Sequence, residues 1–418
     1  MAVISQESQE SVKVLGGLKR RVVVLFVLQV ALLWMGYQTL LTWWTQQYAF
    51  RWLGIAFISS AVLLGAIWQS LNYNYPAGKQ RLLATLGAGN MLTIIRGALI
   101  CFLAGFLFSP WPQGWIAWMP GILYSLAALA DLFDGYLARR YSQVTRFGEI
   151  LDMRLDGLGV LIACILLVQY GQVPAWYLLV GLARYLFIFG IWTRRQLGKP
   201  IYELTPNITR RPFAGVQMGF IAVVLFPVFS PPGTALVAAL IALPFLVGFA
   251  LDWLLVSGAR MRSEDDSISI DAKIRARIKQ LPMSFNEVNT KWLPIVFRFF
   301  VVAILMTWLI DNISSLIQQP VVQYQQLKTM LSFPDLWLGS AFLLFVIGLV
   351  LIALGAAGRM AALLILFGLG LFQYYSDLGL LEIVILVGAT ALLYLGTGPY
   401  SLWVPEKQII TKRIGEAR

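Results

Sequence analysis

The sequence contains no histidine and only two cysteines. The first absence removes Ser-His and Cys-His nucleophile pairs, imidazole metal ligands and the side chain most often used as a general base. The second excludes a disulfide framework and a thiolate metal site, because Cys101 and Cys164 sit in separate apolar runs and read as packing residues. Charge is also scarce, with 12% of residues charged against 59% hydrophobic, a balance outside the soluble globular range. Any acid, base or metal chemistry must therefore come from a small set of carboxylates.

What fills the chain instead is membrane-length apolar sequence. Runs near residues 22–44, 52–70, 90–108, 114–131, 155–170, 174–193, 213–230, 234–257, 292–310, 336–355, 359–375 and 379–397 predict an all-α polytopic membrane protein of about twelve transmembrane helices. The first run follows Lys13, Lys19, Arg20 and Arg21 and shows no small-residue cleavage site, so it is expected to stay as an anchored span. Connections 79–81, 139–154, 194–211 and 259–291 are rich in Lys and Arg, whereas 109–113, 171–173 and 231–233 have none. The positive-inside rule then puts both termini and the 139–154 segment on the cytoplasmic side. The net charge of +12 is accounted for by this topology and by anionic lipid, with no call for nucleic acid.

Residues 258–291 form the longest polar stretch and are expected to divide the chain, with an N-terminal segment and two extra helices at 1–79, a core at 80–257 and a four-helix membrane domain at 292–418. Within the divider, "DAKIRARIKQL" aligns Ile274, Ile278 and Leu281 on one helical face among basic residues. That pattern fits a helix lying on the cytoplasmic leaflet, and a plain solvated linker equally well.

Against this background residues 131–156, "DLFDGYLARRYSQVTRFGEILDMRLD", place four aspartates between two apolar spans. Asp131 and Asp134 are spaced i, i+3 and Asp152 and Asp156 i, i+4, so on helices each pair shares a face. Four converging anions at a membrane edge repel one another unless cations neutralise them. An all-oxygen donor set favours Mg²⁺, Mn²⁺ or Ca²⁺, and substrate phosphates commonly complete such a Mg²⁺ site. Gly135 and Ala138 leave room on nearly the same face as Asp131, Arg139 adds a planar cation suited to phosphate, and Gly148 stands four residues before Asp152.

This pattern, D-x2-D-G-x2-A-R-x8-G-x3-D-x3-D, closely resembles the signature of the CDP-alcohol phosphotransferase family. The resemblance implies a six-helix core and transfer of a phosphoalcohol from a CDP-alcohol lipid donor to an acceptor hydroxyl, with release of CMP. It further implies two divalent cations, Mg²⁺ or Mn²⁺, held by Asp131, Asp134, Asp152 and Asp156, with Asp156 as general base, and a homodimer in the inner membrane. Upstream, "GNMLTIIRG" is similar to the family's N-x2-T-x2-R element and supplies Asn90, Thr93 and Arg96. The family implies CDP-alcohol contacts for Asn90, Thr93, Gly135, Ala138, Arg139 and Thr145. Taken alone, Asn90 and Thr93 fit a helix cap as well.

The acceptor is less legible. Arg184 within the apolar "LARYLF", and Lys199, Arg210 and Arg211 around "RRQLGKPIYELTPNITRR", are candidates to hold a small polar, phosphorylated acceptor; Lys199 fits a positive-inside flank equally. "ITRRPFAGVQM" has paired arginines where bacterial glycerophosphate-using members tend to carry Gly-Lys, which leaves the acceptor open. The basic candidates favour CDP-diacylglycerol as donor over a CDP-amino alcohol acting on diacylglycerol. Clustered carboxylates would also fit a cation carrier, but a carrier does not require Gly135, Ala138 and Arg139 in register, nor is there a matching aspartate cluster in the second half. The tail "LYLGTGPYSLWVPE" loosely resembles DoxX-like four-helix proteins, and a scaffold or dimerising bundle fits this part equally. Arg359 and Glu382 are expected to line a small polar pocket there.

Overall fold

The computed structural model describes residues 2–76, 81–140, 145–202, 210–229, 231, 233–258, 293–318, 334–373, 379–396, 398 and 401–403. Among them are twelve α-helices and no strands: α1 (Ala2–Leu41), α2 (Gln46–Ser70), α3 (Gly87–Ala104), α4 (Met119–Arg140), α5 (Arg146–Gln169), α6 (Leu178–Gln196), α7 (Arg210–Val224), α8 (Gly233–Val256), α9 (Leu293–Gln318), α10 (Pro334–Leu354), α11 (Gly358–Gln373) and α12 (Leu380–Leu395). Each expected apolar run falls on one of them. Lipid offers no partner for an exposed peptide group, so helices that satisfy their own backbone are the available solution for these runs. Six helices are long and apolar enough to cross a bilayer, and four more contain shorter apolar stretches. The two left over, α4 and α5, are those that carry the aspartates. The polar divider and its amphipathic stretch 271–281 lie outside the described residues.

The chain forms two compact units, Met1–Tyr185 with Ile221–Pro227, and Leu186–Phe220 with Val228–Arg418. In the first, α3 is the hub and packs against α2, α4 and α5, while α1 packs on α2. Half of α3's membrane-length window is buried, against 17% for α1 and 28% for α2, so polar groups on α3 face protein. Small residues bring these helices close. A Cβ on Gly181 of α6 would lie 2.9 Å from Leu161 Cα of α5, and one on Gly159 of α5 would lie 3.1 Å from Ile100 of α3. Gln29 of α1 donates to Ser60 of α2 at 2.7 Å, a buried polar link between the two N-terminal helices. At one end of the α3–α5 pair, Gln169 accepts from Phe108 N–H at 2.6 Å and donates to Phe106 O at 3.1 Å. That bond pins the turn after α3, in which Phe108 takes a left-handed φ of 60°.

In the second unit α9 to α12 close a ring, α9 touching α10 and α12, and α11 touching α10 and α12, with α8 against α12. Its centre is Trp308, fully buried against Phe345 and Phe372 with ring centroids 4.6 and 4.7 Å away. The indole N–H donates to Glu382 Oε1 at 2.6 Å, which gives the buried Trp308 nitrogen its partner. Arg359 instead donates to Leu393 O at 3.0 Å, near the other end of α12. Glu382 lies in the first turn of that helix, about 16 Å from Leu393 at the α-helical rise. The expected shared pocket of Arg359 and Glu382 is therefore overturned: each is bonded at a different end of α12.

Candidate functional site

The site is assembled from α3, α4 and α5 of the first unit. Asn90, Thr93 and Arg96 follow at i, i+3 and i+6 on α3 and are all buried. Asp131 stands just past the middle of α4, and Asp152 and Asp156 lie one turn apart on α5. α5 starts at Thr145, an N-cap whose hydroxyl accepts from Gly148 N–H at 3.1 Å. The cap therefore belongs to Thr145, while Asn90 and Thr93 lie inside α3.

Arg96 is the centre of the geometry. Its guanidinium donates to Asp131 Oδ1 at 2.9 Å, to Asp152 Oδ1 at 2.6 Å and to Asp156 Oδ1. The arginine side chain is only 3% exposed, whereas Asp152 and Asp156 are 40% and 41% exposed. Arg96 thus forms the floor of the cluster, and the two α5 carboxylates form its accessible rim. One guanidinium does not neutralise three carboxylates. On the polar first turns of α5, burial and then the neighbouring Asp156 carboxylate push Asp152 up to about 6 despite Arg96. Oxygens of Asp131, Asp152 and Asp156 lie within 4.8 Å of one another. A compact, hard, anionic donor set of this kind fits a divalent cation. Asp134 lies one turn beyond Asp131 on α4; its side chain and those of Gly135, Ala138 and Arg139 lie outside the described residues.

Behind the carboxylates is a buried amide and hydroxyl network. Asn90 Nδ2 donates to Thr145 Oγ1 at 2.9 Å, and Thr145 Oγ1 lies 3.0 Å from Asn90 Oδ1. Thr93 Oγ1 donates to Gly89 O at 3.1 Å. A Cβ on Gly148 would collide with Asn90 Oδ1, so the glycine of the sequence pattern makes room for this pair. The same Asn90 amide also donates to Asn74 Oδ1 at 3.1 Å, a partner that the sequence reading missed. No spacing rule marks Asn74, which precedes Asn90 by a loop rather than a helical turn.

Of the acceptor candidates, Arg184 packs against α5. Its Cδ lies 3.1 Å from the position of a Cβ on Gly157, the residue after Asp156, so its chain crosses α5 at that glycine. Lys199 is exposed in the turn after α6, where its N–H donates to Arg194 O at 3.0 Å. Arg210 and Arg211 open α7, and their side chains lie outside the described residues.

Comparison with known proteins agrees with this constellation. Residues 86–251 match the model of the CDP-alcohol phosphatidyltransferase family. A CDP-diacylglycerol–glycerol-3-phosphate 3-phosphatidyltransferase of Salmonella choleraesuis is 39% identical over 80 residues, 19% of this chain and 43% of its own length. The proteins of the same name from Cereibacter sphaeroides and Bacillus subtilis are 34% and 35% identical, each over 24% of this chain and over 47% and 58% of their own lengths. The chain thus spans about half the length of the curated relatives it matches. No solved structure matches the chain. The aspartate pattern, the convergence of α3, α4 and α5 and the match to the CDP-alcohol phosphatidyltransferase family model all fall within residues 86–251.

Proposed function

We propose that this membrane protein transfers the phosphatidyl group of CDP-diacylglycerol to the hydroxyl of a small polar acceptor and releases CMP, with residues 80–257 as its catalytic core. The observation that carries the reading is the convergence of Asp131, Asp152 and Asp156 from two helices on one buried guanidinium. Asp131, Asp134, Asp152 and Asp156 are the residues that would hold two divalent cations. Mg²⁺ or Mn²⁺ there would supply charge neutralisation for the diphosphate. Arg96 holds three of the carboxylates in place from the inner side.

In the transfer, the acceptor oxygen forms a bond to the phosphorus that carries the diacylglycerol while the bond from that phosphorus to the CMP oxygen breaks. The acceptor proton goes to Asp156. Arg96 engages its Oδ1, so proton acceptance falls to Oδ2 on the exposed rim. Gly135, Ala138 and Arg139 are assigned to the CDP moiety, with Asn90, Thr93 and Thr145 forming the wall behind it. Arg184, which packs on α5 at Gly157, is the leading cation for a phosphorylated acceptor, with Lys199, Arg210 and Arg211 as further candidates. The relatives' printed name makes glycerol 3-phosphate the first acceptor to try. A cytoplasmic-facing site in the inner membrane and a homodimer complete the reading.

The test is release of CMP by the purified full chain from CDP-diacylglycerol, with Mg²⁺ or Mn²⁺ and glycerol 3-phosphate, serine, inositol or inositol phosphate. CMP release with one acceptor is expected, and Asp156→Asn should lower kcat by at least a hundredfold while CDP-diacylglycerol still binds. Absence of CMP with every acceptor, and with a CDP-amino alcohol and diacylglycerol, would exclude the transferase reading.

A further inference from the structure

Residues 74–76 precede the matched domain and follow the N-terminal helix pair, yet they bind two of the three helices that carry the site. Asn74 is fully buried. Its Nδ2 donates to Leu83 O at 3.1 Å and Thr85 O at 3.0 Å, its Oδ1 accepts from Asn90 at 3.1 Å, and its main-chain carbonyl accepts from Leu83 N–H at 2.8 Å. The next carbonyl, of Tyr75, accepts from Arg146 N–H at 3.1 Å, and Pro76 forms a backbone bridge with Thr145. Three consecutive residues therefore clasp the approach to α3 on one side and the start of α5 on the other.

This clasp sets the register between two helices whose functional groups lie further along. Arg96 is six residues beyond Asn90 on α3, about 9 Å at the helical rise, and Asp152 and Asp156 are about 10 and 16 Å beyond Thr145 on α5. A helix transmits an axial slip at its start to every residue along it. An ångström of slip is enough to separate Arg96 from Asp152 and Asp156, whose bonds to it depend on close geometry. The side chain needed at the clasp must offer one acceptor and two donors in one plane, which asparagine does and aspartate, serine or an aliphatic residue does not. Replacing it leaves the carbonyls of Leu83 and Thr85 and the Asn90 amide short of a buried partner.

We infer that Asn74, outside the matched domain, is a positioning residue for the transfer: it holds α3 and α5 in the register that brings Arg96 to the carboxylates and lets those carboxylates take a divalent cation. The inference rests on the transferase reading of the site. It also gives the two N-terminal helices a role in catalysis, since they deliver the clasp.

The experiment compares wild type, Asn74→Ala, Asn74→Asp and the control Gln29→Leu, which breaks the buried bond between α1 and α2 without touching the clasp. All are full chains in nanodiscs. Mn²⁺ affinity is read by the loss of its free electron paramagnetic resonance signal, and kcat and KM by CMP release. Asn74→Ala should weaken Mn²⁺ binding and lower kcat at least tenfold each, with a smaller change in donor KM. Asn74→Asp, which keeps the acceptor for Asn90, should fall between it and wild type. Gln29→Leu should keep both values within twofold even if its melting temperature drops as far. Should Asn74→Ala not fold, Asn74→Asp bears the same test with a loss of at least threefold. Wild-type Mn²⁺ affinity and kcat in a folded Asn74 variant, or equal losses in Gln29→Leu, would overturn the inference. Failure of the transferase reading is distinct, because the wild-type chain itself would then release no CMP.

Discussion

Arg96 shows how one residue can be visible in a sequence while its task is not. A basic side chain inside an apolar run beside an acidic motif is a functional signal. Its partners, however, lie 35, 56 and 60 residues away on two other helices, beyond the reach of any local spacing rule. The structure makes it the resident counter-charge of the cluster. Removing one partner of a fully buried ionic set commonly costs about 3–5 kcal/mol, and the loss here is smaller because water screens Asp152 and Asp156 on the rim. Arg96→Met should therefore lower the thermal midpoint of the full chain by several degrees in chelator. Added Mn²⁺ should then raise that midpoint less than it raises the wild type, since Arg96 no longer gathers Asp131, Asp152 and Asp156 to receive the metal. Scanning fluorimetry with and without Mn²⁺ reads this directly, and equal Mn²⁺ shifts in the two proteins would remove Arg96 from the counter-charge role.

Among the elements, hydropathy located the helices well because a membrane-length apolar run has one structural outcome in lipid. It located their ends less well. α1 begins at Ala2, some twenty residues before the apolar run, since polar sequence from Ser5 to Arg21 continues the helix without needing to be apolar. It also could not show which helix is central, as α3 is no more apolar than its neighbours but supplies the surface against which α2, α4 and α5 pack. The aspartate pattern was legible because its i, i+3 and i, i+4 spacings are helical; the Asn74 clasp was not, being built from main-chain carbonyls and loop residues. Glycine positions carry a similar distinction. Gly181 lets α6 meet α5 backbone to backbone, while a Cβ on Gly54 of α2 would meet nothing within 4 Å. Gly181→Ala should cost about 1–3 kcal/mol through overpacking, and because Arg184 lies one turn further along α6 it should also raise the acceptor KM. Gly54→Ala should be neutral or stabilising by up to about 1 kcal/mol, as expected for glycine in a helix. Thermal unfolding and acceptor titrations of the pair check this; equal effects would mean that the α5–α6 contact does not set the site.

For the whole molecule the open quantity is orientation, and the charge pattern of the first unit gives a definite expectation. Segment 139–154 contains Arg139, Arg140, Arg146 and Arg154, while 109–113 contains no charge, and the basic segment should face the cytoplasm because positive loops are retained there. The same side holds CTP-derived donors and phosphorylated small molecules, which do not cross a bilayer unaided. Native cysteines do not interfere with a labelling test, as Cys101 is 3% exposed and Cys164 fully buried. Glu149 and Gln113 are both exposed, the former in a surface pair with Arg146 whose loss costs little. A membrane-impermeant maleimide should therefore label Glu149→Cys in inside-out vesicles and not in right-side-out ones, and Gln113→Cys in the reverse pattern. Both variants should keep CMP release, since neither side chain is part of the carboxylate cluster. Labelling of the two from the same side would contradict the crossing of α4 between them. Labelling of Glu149→Cys from the outside alone would invert the site, and substrates would then have to be supplied from outside the cell.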